Sequence, residues 1–348
     1  MMDAIRRKIS KTGAGAVLAA TLLACVALAT AQLAGQTSTT PTPKAVKSIP
    51  RTPDGHPDLQ GTWNFATATP LQRPKEFAGR EVLTAEEAAR LEERAVRDQF
   101  VDQPPPPGDP GAYNRFWFDS GTKVVATHRT SLIVDPPDGK LPALTPEAVA
   151  RQKARTATSD LAHNPEDLGP WDRCILGFNA GPPIIPYVYN NILELYQTHD
   201  QLVILTEMVH DARVVPLDGR PHLPPQVRQW KGDSRGHWEG DTLVIDTTHF
   251  RVEGTGTLAL SRPGVPGPMD GNLHLVERLT RVGADSLQYS FTVDDRTVWT
   301  QPWTALVTMT KTKEHRYEYA CHEGNYGMTG ILSAARAGER SATDAPKK

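Results

Sequence analysis

The chain lacks the compact signatures that usually declare an enzyme. No phosphate-cradling Walker loop, no His-Glu-x-x-His zinc motif and no dinucleotide-binding glycine fingerprint is present. Gly232-Asp233-Ser234-Arg235-Gly236 places a serine between glycines, but it precedes a strand pattern rather than turning from strand to helix. A serine hydrolase elbow is therefore disfavoured. An excess of charge of one sign is also missing. Lys and Arg number 38 against 40 Asp and Glu, for a formal charge of −2. That balance argues against nucleic acid as a partner. Aromatics are scarce at 7%, while Gly reaches 27 and Pro 30, a mix that predicts many loops and turns. Beyond the N-terminal stretch, no apolar run reaches membrane-spanning length, so no transmembrane segment is expected in the mature chain.

What stands at the N-terminus has the form of a signal peptide. Arg6, Arg7, Lys8 and Lys11 make a basic region, Ala14–Ala29 an apolar run, and Ala29-Thr30-Ala31 a small-x-small cleavage site. Residues 1–31 are then removed and the mature chain starts at Gln32. The removed segment carries four basic residues and one acidic, which takes the formal charge from −2 to −5. The reading is of an exported protein, periplasmic or extracellular. Leu22-Leu23-Ala24 before Cys25 offers lipoprotein anchoring as a minor alternative, poorly matched because the apolar run continues past Cys25. Cleavage leaves Cys174 and Cys321. In an oxidising compartment a disulfide between them is the favoured reading, with a thiol nucleophile or a metal ligand as alternatives.

Residues 32–50 are Thr- and Pro-rich and read as a flexible tether. Residues 51–186 read as a loop-rich segment with two helices that wraps or plugs a barrel. Leu59–Trp63 is its first strand candidate. The first helix spans Thr84–Arg97, with Thr84 and Glu87 forming a capping box. The second opens at Thr145-Pro146, cap and first helical position, and fades near Arg155. Asp102–Pro110 is a Pro-rich loop, and Val124–Val134 suits two short strands. From residue 187 to 335 the pattern is strands: Ile192–Gln197, Leu202–Val209, Arg213–Leu217, Leu273–Thr280, Leu287–Val293, Trp303–Lys311 and His315–Cys321. The stretch 232–250 reads as a hairpin around Glu239-Gly240-Asp241. Period-2 alternation with tight turns predicts an antiparallel meander that closes into a barrel-like domain: mainly β, with two or three short helices and long loops. A short helix is expected over Thr329–Arg336, then a disordered tail over 336–348.

Candidate chemistry is dispersed. His210, Asp211, Arg213, Asp218, Arg220 and His222 fall within thirteen residues. They suit a polar cluster at a barrel mouth, with His210 as acid or base; the plainer reading is a charged loop. His322 and Glu323 end the last expected strand and are a second acid–base candidate, as a metal site far less so. Glu207, Asp246 and Glu277 are carboxylates inside apolar strands; facing inward, they would be buried acids with raised pKa. Glu277 alternates with Leu275 and Leu279, which points it inward and Arg278 outward. Arg213 or Arg278 would alternatively bind a substrate carboxylate. Arg213, Arg220, His222, Asp246, Tyr317 and Tyr319 are the ligand-binding candidates. No cofactor or metal is expected.

Four runs carry a resemblance: Thr52–Trp63, Pro216–His222, the 232–248 hairpin and Tyr319–Tyr326. With them the chain resembles a family of exported bacterial proteins, from about residue 50 to 335; the resemblance implies export and brings no activity with it. Gly61-Thr62-Trp63 and the antiparallel strands after it are more weakly similar to lipocalin-type barrels, although the helices between residues 84 and 156 depart from that layout. The functional expectation is a barrel whose interior holds a small, partly apolar ligand. The alternatives are an acid–base hydrolase, lyase or isomerase using histidines and carboxylates, and a structural or interaction module of the cell envelope.

Overall fold

The computed structural model describes residues 49–99, 118–156, 163–177, 179–251 and 271–344. The expected signal peptide, its cleavage site, almost all of the tether and the Asp102–Pro110 loop lie outside the described residues.

The chain is mainly β. The strands are β1 (Gly61–Asn64), β2 (Ile133–Asp135), β3 (Ile192–Gln197), β4 (Gln201–Thr206), β5 (Ala212–Pro216), β6 (Asp233–Glu239), β7 (Thr242–Thr248), β8 (His274–Gly283), β9 (Ser286–Asp294) and β10 (Trp303–Lys311). The three α-helices are α1 (Ala85–Gln99), α2 (Pro146–Thr156) and α3 (Tyr326–Asp344). All ten strands form one antiparallel sheet in the order β5-β4-β3-β1-β10-β9-β8-β7-β6, with β2 also paired to β10. The expected meander is present as two meanders, β3–β5 and β6–β10, stitched together by β1. Trp63 pairs with Leu193 on one side and Lys311 on the other.

The 232–250 hairpin forms around Gly240, whose φ of 59° is the left-handed region that glycine enters without a Cβ penalty. The two end strands, β5 and β6, then approach each other and nearly close the sheet into a barrel. Gly236 on β6 permits this approach. A Cβ there would collide with Leu217 and lie 3.1 Å from Val215 Cγ1.

Alternation fills the inside. Leu275 and Leu279 on β8, Leu287, Tyr289, Phe291 and Val293 on β9, and Trp303, Ala305, Val307 and Met309 on β10 are all buried. Each large side chain of this kind contributes roughly 1.5–3 kcal/mol through burial. Trp63, Leu132, Leu176, Ile184 and Ile185 join the same core from β1 and the loops.

The capped helix starts hold. Thr84 Oγ1 accepts from the Glu87 N–H at 3.2 Å, and Glu87 accepts from the Thr84 N–H at 2.9 Å. Thr145 Oγ1 accepts from the Ala148 N–H at 3.1 Å. Three local expectations change. Val124–Val134 gives the single strand β2, which begins only at Ile133. His315–Cys321 is not a strand, because β10 has no edge left to receive it: β9 occupies one side, β1 and β2 the other. The C-terminal helix is longer than expected and runs to Asp344, through most of the stretch read as a disordered tail.

Cys174 and Cys321 form a disulfide across 147 residues of sequence. It ties the irregular segment after β10 to the loop before β3. Among the described residues, no helix is long and apolar enough to cross a membrane.

Candidate functional site

The segment after β10 does not pair, but it walls a cleft. Residues 314–319 face Asp119, the start of β3 and the β4–β5 turn, and enclose about 700 Å³. Three carboxylates line it: Asp119, Glu207 and Glu314. Tyr189, Tyr317, Tyr319 and His315 supply the rings.

Two of the acids are fixed by local structure. Asn191, fully buried, donates to the Asp119 carbonyl at 2.8 Å and to the Tyr187 carbonyl at 2.7 Å, fixing the Asp119 segment against β3. Glu207 opens the β4–β5 turn. Its N–H donates to the Ile192 carbonyl at 3.0 Å, and its carboxylate accepts from the Tyr317 N–H at 3.2 Å. The turn is tight: Val209 and His210 both have positive φ, 63° and 54°, an uncommon pairing for two side-chain-bearing residues. Burial raises the pKa of Glu207, and the charge of Asp119 adds to it, against the donors Tyr317 and Asn190. The pKa of Asp119 is raised by burial and by Glu314. The cleft thus holds acids whose charge the protein only partly compensates.

Aromatic rings continue from the cleft to the disulfide. Tyr189 stacks with Tyr319 at 6.4 Å, and Tyr319 with Trp171 at 6.1 Å. Tyr317 stays 70% exposed, with its ring available to a ligand.

The residues singled out in the sequence are distributed over several places. Tyr317 and Tyr319 are in this cleft. His210 sits beside it, where Arg316 donates to His210 Nδ1 at 3.0 Å, so an arginine occupies the ring nitrogen that a base would use. His322 and Glu323 lie in an exposed turn after Cys321, away from the cleft walls. Arg220 pairs with Asp218 on an exposed turn. Ser234 is buried in β6 within 3.0 Å of Thr247 Oγ1, with no helix following it, which removes the hydrolase elbow.

Glu277 and Arg213 meet inside the barrel. Arg213 donates from both guanidinium nitrogens, at 2.6 and 2.8 Å, to the two Glu277 oxygens. Tyr289 Oη donates to Glu277 at 2.7 Å and accepts from the Ile184 N–H at 2.9 Å. Burial pushes the Tyr289 phenol well above its ordinary range, with the Glu277 charge reinforcing it. Trp63, Tyr289, Phe291 and Trp303, at most 1% exposed, pack the interior in which a ligand was expected, and the cleft described above opens outside it.

His222 and Asp246 belong to a third group, on the outer face of β6–β8. His222 Nδ1 lies 2.8 Å from Asp233, and its Nε2 lies 3.1 Å from Asp246. His274 Nε2 lies 2.6 Å from the other Asp246 oxygen. Asp246 faces outward, and its pKa is lowered, first by the His274 hydrogen bond, rather than raised as an inward acid would be. His274 is raised by the same bond. Among the described residues, no group of three or more ligating side chains is placed to hold a metal ion.

The signs of these two shifts set a pH window. The stabilisation carried by His274 is fully present below the ordinary imidazole value of 6.5 and is lost as pH rises through its raised folded value. That carried by Asp246 is present above 3.8 and is lost as pH falls through its depressed folded value. Urea midpoints followed from about pH 3 to about pH 9 are expected to fall at the alkaline side in the wild type and to flatten there in Asp246→Asn. Parallel profiles for the two proteins would refute the coupling.

Sequence reasoning missed Asp119, Asn190, Glu314 and His315. Asp119 and Glu314 are 195 positions apart in the chain, and no local pattern links them.

No family model matches the chain, and no curated protein matches it. Among solved structures, a secretary abundant heat soluble (SAHS) protein from Ramazzottius varieornatus aligns over 35% of this chain and 70% of that one. The identity is 13% and the TM-score 0.21, values at which the likeness carries no argument about this chain.

Proposed function

We propose that this is an exported binding protein, and that its ligand is a small, partly apolar cation held in the acidic tyrosine cleft. The disulfide fits an oxidising compartment. The observation that carries the ligand class is the cleft itself: three carboxylates, two with raised pKa, beside tyrosine rings in about 700 Å³. An incoming ammonium group relieves the repulsion among the acids, and its apolar body lies against the rings. Aromatic faces attract such cations by about 0.5–2 kcal/mol each.

The binding site is thereby moved from the barrel interior to the outside of the sheet. It uses Tyr317 and Tyr319, together with Glu207, Asp119 and Glu314. The acid–base enzyme reading has less support, because His210 is engaged by Arg316 and His322 lies outside the cleft.

Calorimetric titration with phenyltrimethylammonium tests the proposal. Saturable binding of one probe per chain is expected. Tyr317→Ala is expected to weaken it about fivefold, within the range of one lost cation–π contact. Glu207→Gln should weaken it further. Because the acids must be charged to bind a cation, affinity should rise with pH through their raised pKa values and level off once both are ionised. A wild-type protein that gives no saturable heat, or a Tyr317→Ala variant that binds equally well, would exclude this cleft as a cation site.

A further inference from the structure

The tyrosine cleft does not end at Tyr319. That residue also lines a second cleft, of about 420 Å³, which runs from Trp171 past the disulfide to the first turns of α3. The stacked rings of Tyr189, Tyr319 and Trp171 lie along the passage from one cleft to the other.

The two clefts differ in chemistry. The first holds Asp119, Glu207 and Glu314. The second is walled by Trp171, Ala320, Met328 and Ile331, together with Cys174 and Cys321. Its polar side chains are engaged with the protein. Asn325 donates to the Asp172 carbonyl at 2.8 Å and accepts from the Met328 N–H at 3.2 Å. The Asp172 carboxylate accepts from the Gly169 N–H at 3.2 Å. A polar guest would give up water and meet groups that are already bonded, so the lining suits an apolar one. Gly324 and Gly327 put no side chain into the groove. Ile331 is 41% exposed at its wall, which leaves aliphatic surface to be covered.

We propose that the ligand is an amphiphilic cation: its ammonium head sits among the three carboxylates, and an unbranched alkyl tail passes Tyr319 into the groove beside the disulfide. This rests on the cation reading of the acidic cleft and extends it from the head group to the tail. Charge complementarity fixes which end of the ligand is the head. The meeting of the two clefts at Tyr319 gives the tail its direction. A fatty acid has the same tail, but it would bring a fourth carboxylate to the other three, and like charges repel.

The test is calorimetric titration of the protein with alkyltrimethylammonium ions from ethyl to octyl, kept below micelle-forming concentrations. The uncharged counterpart of the longest tail is 1-octanol. Affinity should rise about two- to fourfold with each methylene that enters the groove. Without a charge for the carboxylates and rings, 1-octanol should bind about tenfold more weakly than octyltrimethylammonium. Ile331→Ser should flatten the rise. Tyr326→Ser should preserve it, because Tyr326 is 82% exposed and outside the groove walls. Both side chains are exposed, so both variants are expected to fold, and thermal melts check this. If Ile331→Ser does not fold, the wild-type series and 1-octanol decide. Saturable binding of phenyltrimethylammonium with a flat alkyl series would overturn the tail and leave the head site standing. No saturable binding of phenyltrimethylammonium or of any member of the series would overturn both. Equal affinity for 1-octanol, or an undiminished rise in Ile331→Ser, would also overturn the proposal.

Discussion

Replacing Glu277 by alanine is expected to destabilise the protein by about 3–5 kcal/mol, because it strands a buried guanidinium. Arg213 is 7% exposed, and Glu277 is wholly buried. Burial alone would lower the pKa of Arg213, yet the Glu277 charge and hydrogen bonds outweigh it and hold the guanidinium charged. Without Glu277 that charge has lost its bidentate acceptor inside the barrel. The Tyr289 hydroxyl loses its acceptor in the same step. The pair as a whole is a different matter. Bringing two ions out of water costs almost what their attraction returns, so an apolar pair of similar volume is often close to neutral. The double variant Arg213→Met, Glu277→Leu is therefore expected to recover most of the loss. The remainder, about 1–3 kcal/mol, reflects the unpaired Tyr289 hydroxyl. Urea denaturation of the two variants measures both effects. A Glu277→Ala loss under about 1 kcal/mol would mean that water reaches Arg213 and that the interior is not sealed.

Breaking the disulfide is expected to have a comparable effect, with a different spatial signature. Constraining 147 residues of chain is worth about 4–5 kcal/mol in the chain-entropy account, an upper guide. Residues 312–319 also touch Glu207, His210 and Tyr189, but α3 beyond the disulfide is held more lightly. Most side chains of α3 are exposed. Its described attachments are few: Asn325 to the Asp172 carbonyl at 2.8 Å, Arg336 to the His163 carbonyl, and His163 to Glu339 at 2.6 Å. In Cys321→Ser, hydrogen exchange should accelerate across residues 312–344 well before the β6–β10 strands open. Tyr317 and Tyr319 belong to that segment, so binding of phenyltrimethylammonium should weaken together with its protection. Uniform protection loss across the sheet would show instead that the disulfide acts on global folding alone.

The legible part of the fold is the part with a local cause. Leu287, Tyr289, Phe291 and Val293 alternate with polar neighbours, and that alternation alone places them inward on a strand. Thr84 with Glu87, and Thr145 with Pro146, mark helix starts because a few neighbouring atoms satisfy the first N–H groups. Glu277 could be turned inward by the same period-2 reading, but nothing local announced that Arg213 would meet it, 64 positions away. The alternation of Tyr317, Tyr319 and Cys321 suggested a strand. It failed because a strand needs a free edge, and the occupancy of the β10 edges is a property of the whole sheet.

The sequence by itself determined that the chain is mainly β and antiparallel, where its first two helices begin and which faces of its strands are buried, and it favoured the pairing of Cys174 with Cys321 that the structure contains. Only the tertiary structure decided that β1 joins two meanders, that the interior is packed with side chains, and that Asp119, Glu207 and Glu314 share one cleft. The physical reason is range. Periodicity, caps and turns arise from neighbours a few residues apart, whereas sheet order and site assembly depend on which distant segments bury one another.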